Sequence, residues 1–313
     1  MDLELRVLQR RSVADGIVEL TLAHPDGCAL PPWDAGAHID LELGELLRQY
    51  SLTGLETRDD RWIVSILREQ AGRGGSRYAH ECLPDGSPVR VSLPRNHFRL
   101  DAQAPRVLFV AGGIGITPIL PMIRQLEAAG TPWELFYCGR SRTSMAYLDE
   151  LAKFGDRVRI RPDDEFGIPD LGTLVSETAI DTVVYSCGPE SLLATLETRC
   201  AEATPPRQLR VERFVPKIVE PTEPDHGFDV EFAQSGLTVT VPVGRSILEV
   251  AEECGVDIIS SCSEGTCGTC ETPVLEGIPD HRDSVLTQEE QASCATMMPC
   301  VSRAKSARLV LDV

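Results

Sequence analysis

Three cysteines fall within one short loop of this chain, Ser260-Ser261-Cys262-Ser263-Glu264-Gly265-Thr266-Cys267-Gly268-Thr269-Cys270, and Cys300 follows well downstream. The spacing C-x4-C-x2-C with one remote cysteine is that of a plant-type [2Fe–2S] loop. Soft thiolates suit iron–sulfur and zinc sites, and small loop residues leave backbone N–H groups free to approach inorganic sulfide. Gly265 and Gly268 supply the backbone freedom that a tightly wrapped loop requires. A structural zinc site is the competing possibility, but zinc loops pair their cysteines as C-x2-4-C twice. Spacing alone leaves both Cys294 and Cys300 open as the fourth ligand. Cys28, Cys82, Cys138, Cys200 and Cys254 read as small core residues; Cys187 has a functional case, because it opens a glycine turn.

Cysteine usage also bears on compartment. Eleven is an odd number, and Met1 to Arg11 carries Asp2, Glu4, Arg6, Arg10 and Arg11 with no apolar core. A secretory leader and a disulfide framework are therefore not expected, and a reducing, cytoplasmic location is. The longest charge-free run, Val107 to Ile123, contains glycines and prolines and is too short to span a membrane. A net charge of −18 repels phosphate backbones and anionic lipid, which argues against nucleic acid and membrane surfaces as partners.

With 313 residues, 42% hydrophobic and 25% charged, the chain is ordinary globular polypeptide long enough for two or three domains. Residues 1–102 hold short alternating segments, Val18 to Leu22, Ile39 to Leu43, Trp62 to Leu67 and Val89 to Leu93, between turns such as Asp85-Gly86. They predict a small antiparallel β-barrel. Residues 103–215 alternate strands (Val107 to Ala111, Glu134 to Cys138, Val158 to Arg161, Thr182 to Ser186) with helices near Pro118 to Ala129, Met145 to Phe154 and Glu190 to Cys200. That pattern predicts a parallel α/β sheet. Residues 216–226, with Pro216, Pro221 and Pro224, read as a linker. In 227–313 a hairpin, Phe228 to Ala233 and Leu237 to Val241, precedes a helix opened by the capping box Ser246–Glu249 and ended by Gly255, which suggests a β-grasp domain.

Strand Val107 to Ala111 runs into Gly112-Gly113-Ile114-Gly115-Ile116-Thr117-Pro118. Glycines there permit close backbone approach, Thr117 is placed to cap a helix, and Pro118 suits its first turn. The exposed N–H groups and the helix dipole make a pyrophosphate cradle. Tyr185-Ser186-Cys187-Gly188-Pro189 follows another strand and adds a second glycine turn at the same sheet edge, so the pair favours a nicotinamide dinucleotide. In the first block, Arg48-Gln49-Tyr50-Ser51 places a cation, a phenol and a hydroxyl on an extended segment. Gly72-Arg73-Gly74-Gly75-Ser76 precedes the short helical segment Arg77 to Leu83, so Gly74, Gly75 and Ser76 form a cradle for one terminal phosphate, which favours FMN over FAD.

Taken in order, these motifs resemble the phthalate dioxygenase reductase family, which includes the vanillate O-demethylase reductases, over essentially the whole chain. The resemblance also covers Pro94-Arg95-Asn96-His97-Phe98, Tyr137-Cys138-Gly139-Arg140-Ser141 and the C-terminal ferredoxin domain. It implies that NADH reduces FMN by hydride transfer and that the flavin passes single electrons to the cluster for an oxygenase partner. It implies flavin contacts at Arg48, Gln49, Tyr50 and Ser51, phosphate contacts at Gly74, Gly75 and Ser76, and pyridine-nucleotide contacts at Gly112, Gly113, Gly115, Thr117, Pro118, Cys187, Gly188 and Pro189. Ser51, Thr117 and Cys187 are then the residues around the hydride. Met298-Pro299-Cys300-Val301-Ser302 looks like the family's last-ligand segment, which gives Cys262, Cys267, Cys270 and Cys300 as the metal set. Phe214 is a candidate flavin shield. Arg140 and Arg142 follow the second parallel strand where a 2′-phosphate could sit, although the family uses NADH. The expected partner is a terminal Rieske oxygenase, with a haem-thiolate monooxygenase as the alternative, and the chain is expected to be a monomer. A cluster-based redox sensor is a separate reading, for which two nucleotide signals are superfluous. From His226 to Val313 the chain has five basic and fourteen acidic residues, which implies an acidic docking face.

Overall fold

The computed structural model describes residues 3–54, 58–70, 72–217 and 224–313 and divides into two compact units, Met1–Glu212 and Arg213–Val313. The first unit opens with β1 (Leu3–Ala14), β2 (Ile17–Ala23), β3 (His38–Leu43), β4 (Leu46–Ser51), β5 (Arg61–Leu67) and β6 (Pro88–Val91), with helix α1 (Gly75–Cys82) before β6. They form an antiparallel sheet in the order β4-β3-β6-β1-β2-β5. A bridge from Leu52 to Val64, with Thr53 N–H donating to the Ile63 carbonyl, brings its two edge strands together into a barrel. The alternation in β3 sends Ile39, Leu41 and Leu43 into the barrel core with Leu20, Leu22, Val64 and Ile66. The intervening His38 and Asp40 are buried as well, so the outer face of this strand is covered.

A five-stranded parallel sheet follows, β7 (Arg106–Gly112), β8 (Trp133–Gly139), β9 (Val158–Pro162), β10 (Thr182–Cys187) and β11 (Leu209–Glu212), in the order β11-β10-β7-β8-β9. Its helices are α2 (Ile116–Ala129), α3 (Leu148–Ala152), α4 (Asp163–Phe166), α5 (Leu171–Glu177) and α6 (Glu190–Glu202). One apolar cluster joins Ile17, Ala35 and Phe98 of the barrel half to Phe109, Ile119, Tyr137 and Tyr185 of the parallel half. The order of a β-barrel and then a parallel sheet agrees with the sequence. The strands β1 and β11 and the helices α4 and α5 are not among the elements expected from the sequence. The helix expected over Met145 to Phe154 shrinks to α3, because Tyr147 adopts a left-handed backbone (φ 65) that no helix can continue through.

That strained tyrosine has a visible reason. Glu19 is 2% exposed; it accepts from Arg11 Nε at 2.6 Å and from the Tyr147 hydroxyl at 2.9 Å. Ser65, directly opposite Glu19 in β5, also reaches the Tyr147 hydroxyl. A buried carboxylate on the barrel's outer face is thus satisfied from the parallel half of the same unit, beside the backbone bond from Asp15 N–H to the Thr143 carbonyl.

The second unit contains β12 (Phe228–Phe232), β13 (Leu237–Val241), α7 (Ile247–Glu253), β14 (Thr272–Glu276), β15 (Pro279–Asp280), α8 (Gln288–Ser293), β16 (Thr296–Met297), β17 (Arg303–Ala304) and β18 (Arg308–Leu311). The main sheet runs β13-β12-β18-β14-β16, with β12 and β18 parallel, and α7 packs Ile247, Val250 and Ala251 into its core. Ser246 and Glu249 form the expected reciprocal cap. The linker read from the sequence falls largely on 218–223, outside the described residues. On its flanks, Lys217 N–H donates to Ser284 Oγ and Asp225 pairs with Arg282. Among the described residues no helix is long and apolar enough to cross a membrane.

Replacing Tyr147 with Phe strips one donor from Glu19 and leaves that carboxylate under-satisfied. The variant is expected to lose about 1–3 kcal/mol of unfolding free energy, read by urea denaturation.

Candidate functional site

The two glycine turns of the parallel sheet lie against each other. A Cβ on Gly115 would stand 2.2 Å from the Cys187 carbonyl oxygen, and one on Gly188 would stand 2.9 Å from the Gly112 Cα. These glycines are therefore required by backbone-to-backbone contact between the ends of β7 and β10. Gly113 is different: its φ is 54 and a Cβ there would meet nothing within 4 Å, so its backbone faces open space at the start of α2. Pro118 lies in the first turn of α2 as expected. Thr117 does not cap it. The N-cap is Gly115, with no side-chain cap, and Thr117 is already inside the helix, buried, its hydroxyl donating to the Ile114 carbonyl at 2.9 Å. The cause is the 3-10 turn Gly113–Gly115, which starts the helical path earlier than the sequence pattern indicates. Pro189 is the N-cap of α6.

On the barrel, Arg48 comes to the glycine cradle from a distant part of the sequence. Its side chain lies over Gly75, where a Cβ would meet Arg48 Cγ at 2.8 Å. The guanidinium donates through Nη1 to the Leu47 carbonyl, while Nη2 is buried without a partner. Gly74, at φ 102, turns the chain into α1, and Ser76 Oγ accepts the Glu69 N–H, which pins the loop. A free cationic donor beside the open N–H groups of a helix start fits a phosphate. Tyr50 shares the face of Arg48 and packs on the barrel core, its phenol pushed up by burial. Gln49 and Ser51 take the opposite face. There Ser51 Oγ is also buried, with only the Glu212 carboxyl beside it. Buried side-chain atoms without a partner include His38 Nε2, Arg48 Nη2 and Arg95 Nε, on β3, β4 and the adjoining segment, so the polar demand of a bound group is concentrated there.

Glu212, at the end of β11, connects this face to the nucleotide turns. Its carboxyl lies beside the Ser51 hydroxyl, and the Cys187 thiol is 4.0 Å from its Oε2. Burial pushes Glu212 up to about 8 and, with Glu212 beside it, pushes the Cys187 thiol up well above its ordinary value. Cys187 is therefore a neutral thiol, suited to contact and unsuited to nucleophilic chemistry. His38 and Glu212 carried no recognisable signal of their own, because a lone buried His or Glu on a strand reads as structural. At the far side of the sheet Arg140 is exposed, whereas Arg142 is held by Glu165 through bonds of 2.6 and 2.9 Å. Phe214 lies at the start of the second unit, where it is exposed.

In the second unit no three thiol, imidazole or carboxylate groups among the described residues converge as a site for one metal ion. The four thiols stand as two pairs. Cys270 and Cys300 have their sulfurs 3.2 Å apart, and Cys262 interacts with Cys267. In each pair the partner's thiol proton pulls one sulfur down, Cys262 to about 4, and the other is raised. The Glu264 N–H reaches Cys262 Sγ at 3.3 Å and the Thr269 N–H reaches Cys267 Sγ at 3.4 Å. Gly265 and Gly268 both have positive φ, and Gly265 is pressed between Val301 and Asp283. Cys294 instead ends α8 in a left-handed conformation with its thiol toward the Gln291 carbonyl. Two thiol pairs fit a two-iron cluster, since each tetrahedral iron shares two sulfides and takes two thiolates. They do not fit a single zinc ion.

The comparisons with known proteins agree with this geometry. A model of the 2Fe-2S iron-sulfur cluster binding domain matches residues 230–305, and one of the oxidoreductase NAD-binding domain matches residues 109–161. The chain is 44% identical to the phenoxybenzoate dioxygenase subunit beta of Ectopseudomonas oleovorans, over 96% of this chain and 94% of that protein. The structure of phthalate dioxygenase reductase superposes with a TM-score of 0.71 at 36% identity, covering 100% of this chain and 98% of that one. An intact type IV self-sufficient cytochrome P450 monooxygenase superposes with a TM-score of 0.94 at 45% identity, and this chain, fully covered, spans 41% of it. Fold and site together define an NAD(P)H-dependent oxidoreductase with a flavin and a [2Fe–2S] cluster. The chain belongs to the phthalate dioxygenase reductase family.

Gly115→Ala is expected to push the two turns apart and to slow flavin reduction by NADH on the order of a hundredfold. Gly113→Ala, with only backbone strain to bear, is expected to retain most of the rate; stopped-flow absorbance compares them. Glu212 gives a pH prediction. The unfolded chain releases this proton near the ordinary 4.5 and the folded one near 8, so stability falls as pH rises between those values. Glu212→Gln is expected to match the parent in acid and to exceed it by about 5 kcal/mol above the upper value, read as the difference between two denaturation series.

Proposed function

We propose that this chain is the reductase component of a Rieske oxygenase system and carries electrons from NADH through FMN to its own [2Fe–2S] cluster. The observation that carries the reading is the continuity from Ser51 through Glu212 to Cys187 within one unit, which sets a barrel face with unmet polar atoms against the nucleotide turns. Bound flavin supplies the chemistry that accepts an electron pair and releases single electrons. In this reading Arg48, Gly74, Gly75 and Ser76 hold the flavin phosphate, and Gln49, Tyr50 and Ser51 contact the ring. A phosphate pocket that ends at the start of α1 favours the monophosphate FMN. Gly113 and the start of α2 receive the pyrophosphate, Gly112, Gly115, Gly188 and Pro189 shape the turns, and Cys187 and Thr117 pack beside the nicotinamide. With Arg142 engaged by Glu165, a 2′-phosphate finds less free charge, which supports NADH. Cys262 and Cys267 hold one iron; Cys270 and Cys300 hold the other. Eleven cysteines, all free thiols, suit a reducing cytoplasm, and the acidic second unit offers a basic partner a docking face.

A second reading, electron donation to a haem-thiolate monooxygenase, is favoured by the 45% identity to the self-sufficient cytochrome P450 protein. Reconstitution with each partner class under NADH discriminates between them.

Anaerobic NADH titration is expected to bleach the flavin and to produce a reduced [2Fe–2S] EPR signal, with FMN in the acid extract. A flavin that bleaches beside an oxidised cluster would contradict the electron path, and absence of flavin would sink the reading. Cys300→Ser is expected to lose the cluster while NADH still reduces the flavin, whereas Cys294→Ser keeps both centres.

A further inference from the structure

His38 opens β3 and stands opposite Ser51 of β4 on one side and Arg95 on the other. Its backbone exchanges both hydrogen bonds with Arg95, at 2.9 and 3.0 Å. Residues opposite one another in antiparallel pairing share a face, so the three side chains form a row across three adjacent segments. Each has a buried polar atom to satisfy: His38 Nε2 and Arg95 Nε have no partner, and Ser51 Oγ has only the Glu212 carboxyl beside it. His38 is only 6% exposed and Ser51 4%. One such atom is unremarkable; three side by side, two of them orphans, mark the place of a polar edge that is not part of the chain. The row lies on the outer face of the barrel, and Ser51 leads from it to Glu212 and Cys187.

The groups around the imidazole decide its character. Asp40 is engaged by Arg95 Nη2 at 2.7 Å, and the His97 ring lies 6.2 Å away. Burial, with Arg95 and His97, pushes His38 down to about 3 against the opposing pull of Asp40. The ring is therefore neutral, one donor and one acceptor without charge.

We infer that His38 is a flavin-positioning residue whose imidazole, in a row with Ser51 and Arg95, hydrogen-bonds the polar pyrimidine edge of the isoalloxazine ring. The inference rests on the proposed assignment of this face to the flavin. That edge consists of carbonyl oxygens and ring nitrogens, which a neutral imidazole matches without bringing a charge into a buried site. An N–H donated there favours the reduced flavin, which concentrates negative charge on the same atoms.

The test uses the full-length protein with His38→Leu and His38→Asn, read by FMN fluorescence titration and spectroelectrochemistry. His38→Leu is expected to weaken FMN binding by about tenfold and to move the flavin midpoint potential in the negative direction, with the cluster EPR signal unchanged. His38→Asn, which keeps an N–H donor, is expected to recover most of both. His38→Met, which also lacks a donor, replaces the leucine variant if that one does not fold; a shifted potential supports the inference, and parent values overturn it. Parent affinity and potential in a folded His38→Leu would mean that the row is simply hydrated. Arg48→Ala separates the two levels. If it loses FMN while His38→Leu does not, only the role of His38 fails; if the parent binds no flavin, the underlying reading fails.

Discussion

Electron-pair transfer between two planar rings requires them to meet in a space that excludes water, and a single sheet cannot wall such a space. The first unit meets this requirement by burying polar residues on the outer face of a barrel and covering them with a parallel sheet. The bond from the Tyr147 hydroxyl to Glu19 is the clearest expression of it. A carboxylate on that face has no water to solvate it, so the parallel half must supply a donor, and the chain accepts a left-handed tyrosine to deliver one. The relative placement of barrel and sheet follows, and with it the approach of Glu212 to Ser51.

The nucleotide turns illustrate a second constraint. Gly115 and Gly188 are small because two loop backbones touch, and Gly112 because the Pro189 ring and Leu192 lie against it, not because a ligand needs the room, whereas Gly113 keeps an open face. Similar glycines in one motif thus serve different physical ends. Sequence alone assigns them all to the cradle.

In the second unit the decisive fact is the pairing of thiols. A loop with two positive-φ glycines brings Cys262 and Cys267 together, and the short turn after Met298 brings Cys300 to Cys270. Backbone N–H groups directed at two of the sulfurs offset part of the charge that such a site accumulates. Cys294 is only six positions from Cys300, but it is committed to closing a helix.

Much of this protein is legible in its sequence. Period-two alternation, glycine turns after apolar strands and the C-x4-C-x2-C spacing are local patterns, and local patterns report the barrel strands, the parallel strands, the hairpin and the metal loop directly. Other features are non-local, and no single segment reveals them. His38 and Glu212 are ordinary strand residues until the opposing segments bury them. Thr117 looks like a cap until a 3-10 turn starts the helix before it. The helix expected from Met145 to Phe154 is locally reasonable and fails because Glu19, far away in the chain, requires the Tyr147 hydroxyl. The sequence by itself determined which elements form and which chemistry the cysteines support, since those depend on neighbours along the chain. Only the tertiary structure decided which polar atoms are left without partners, because burial and pairing are properties of surfaces that meet in space.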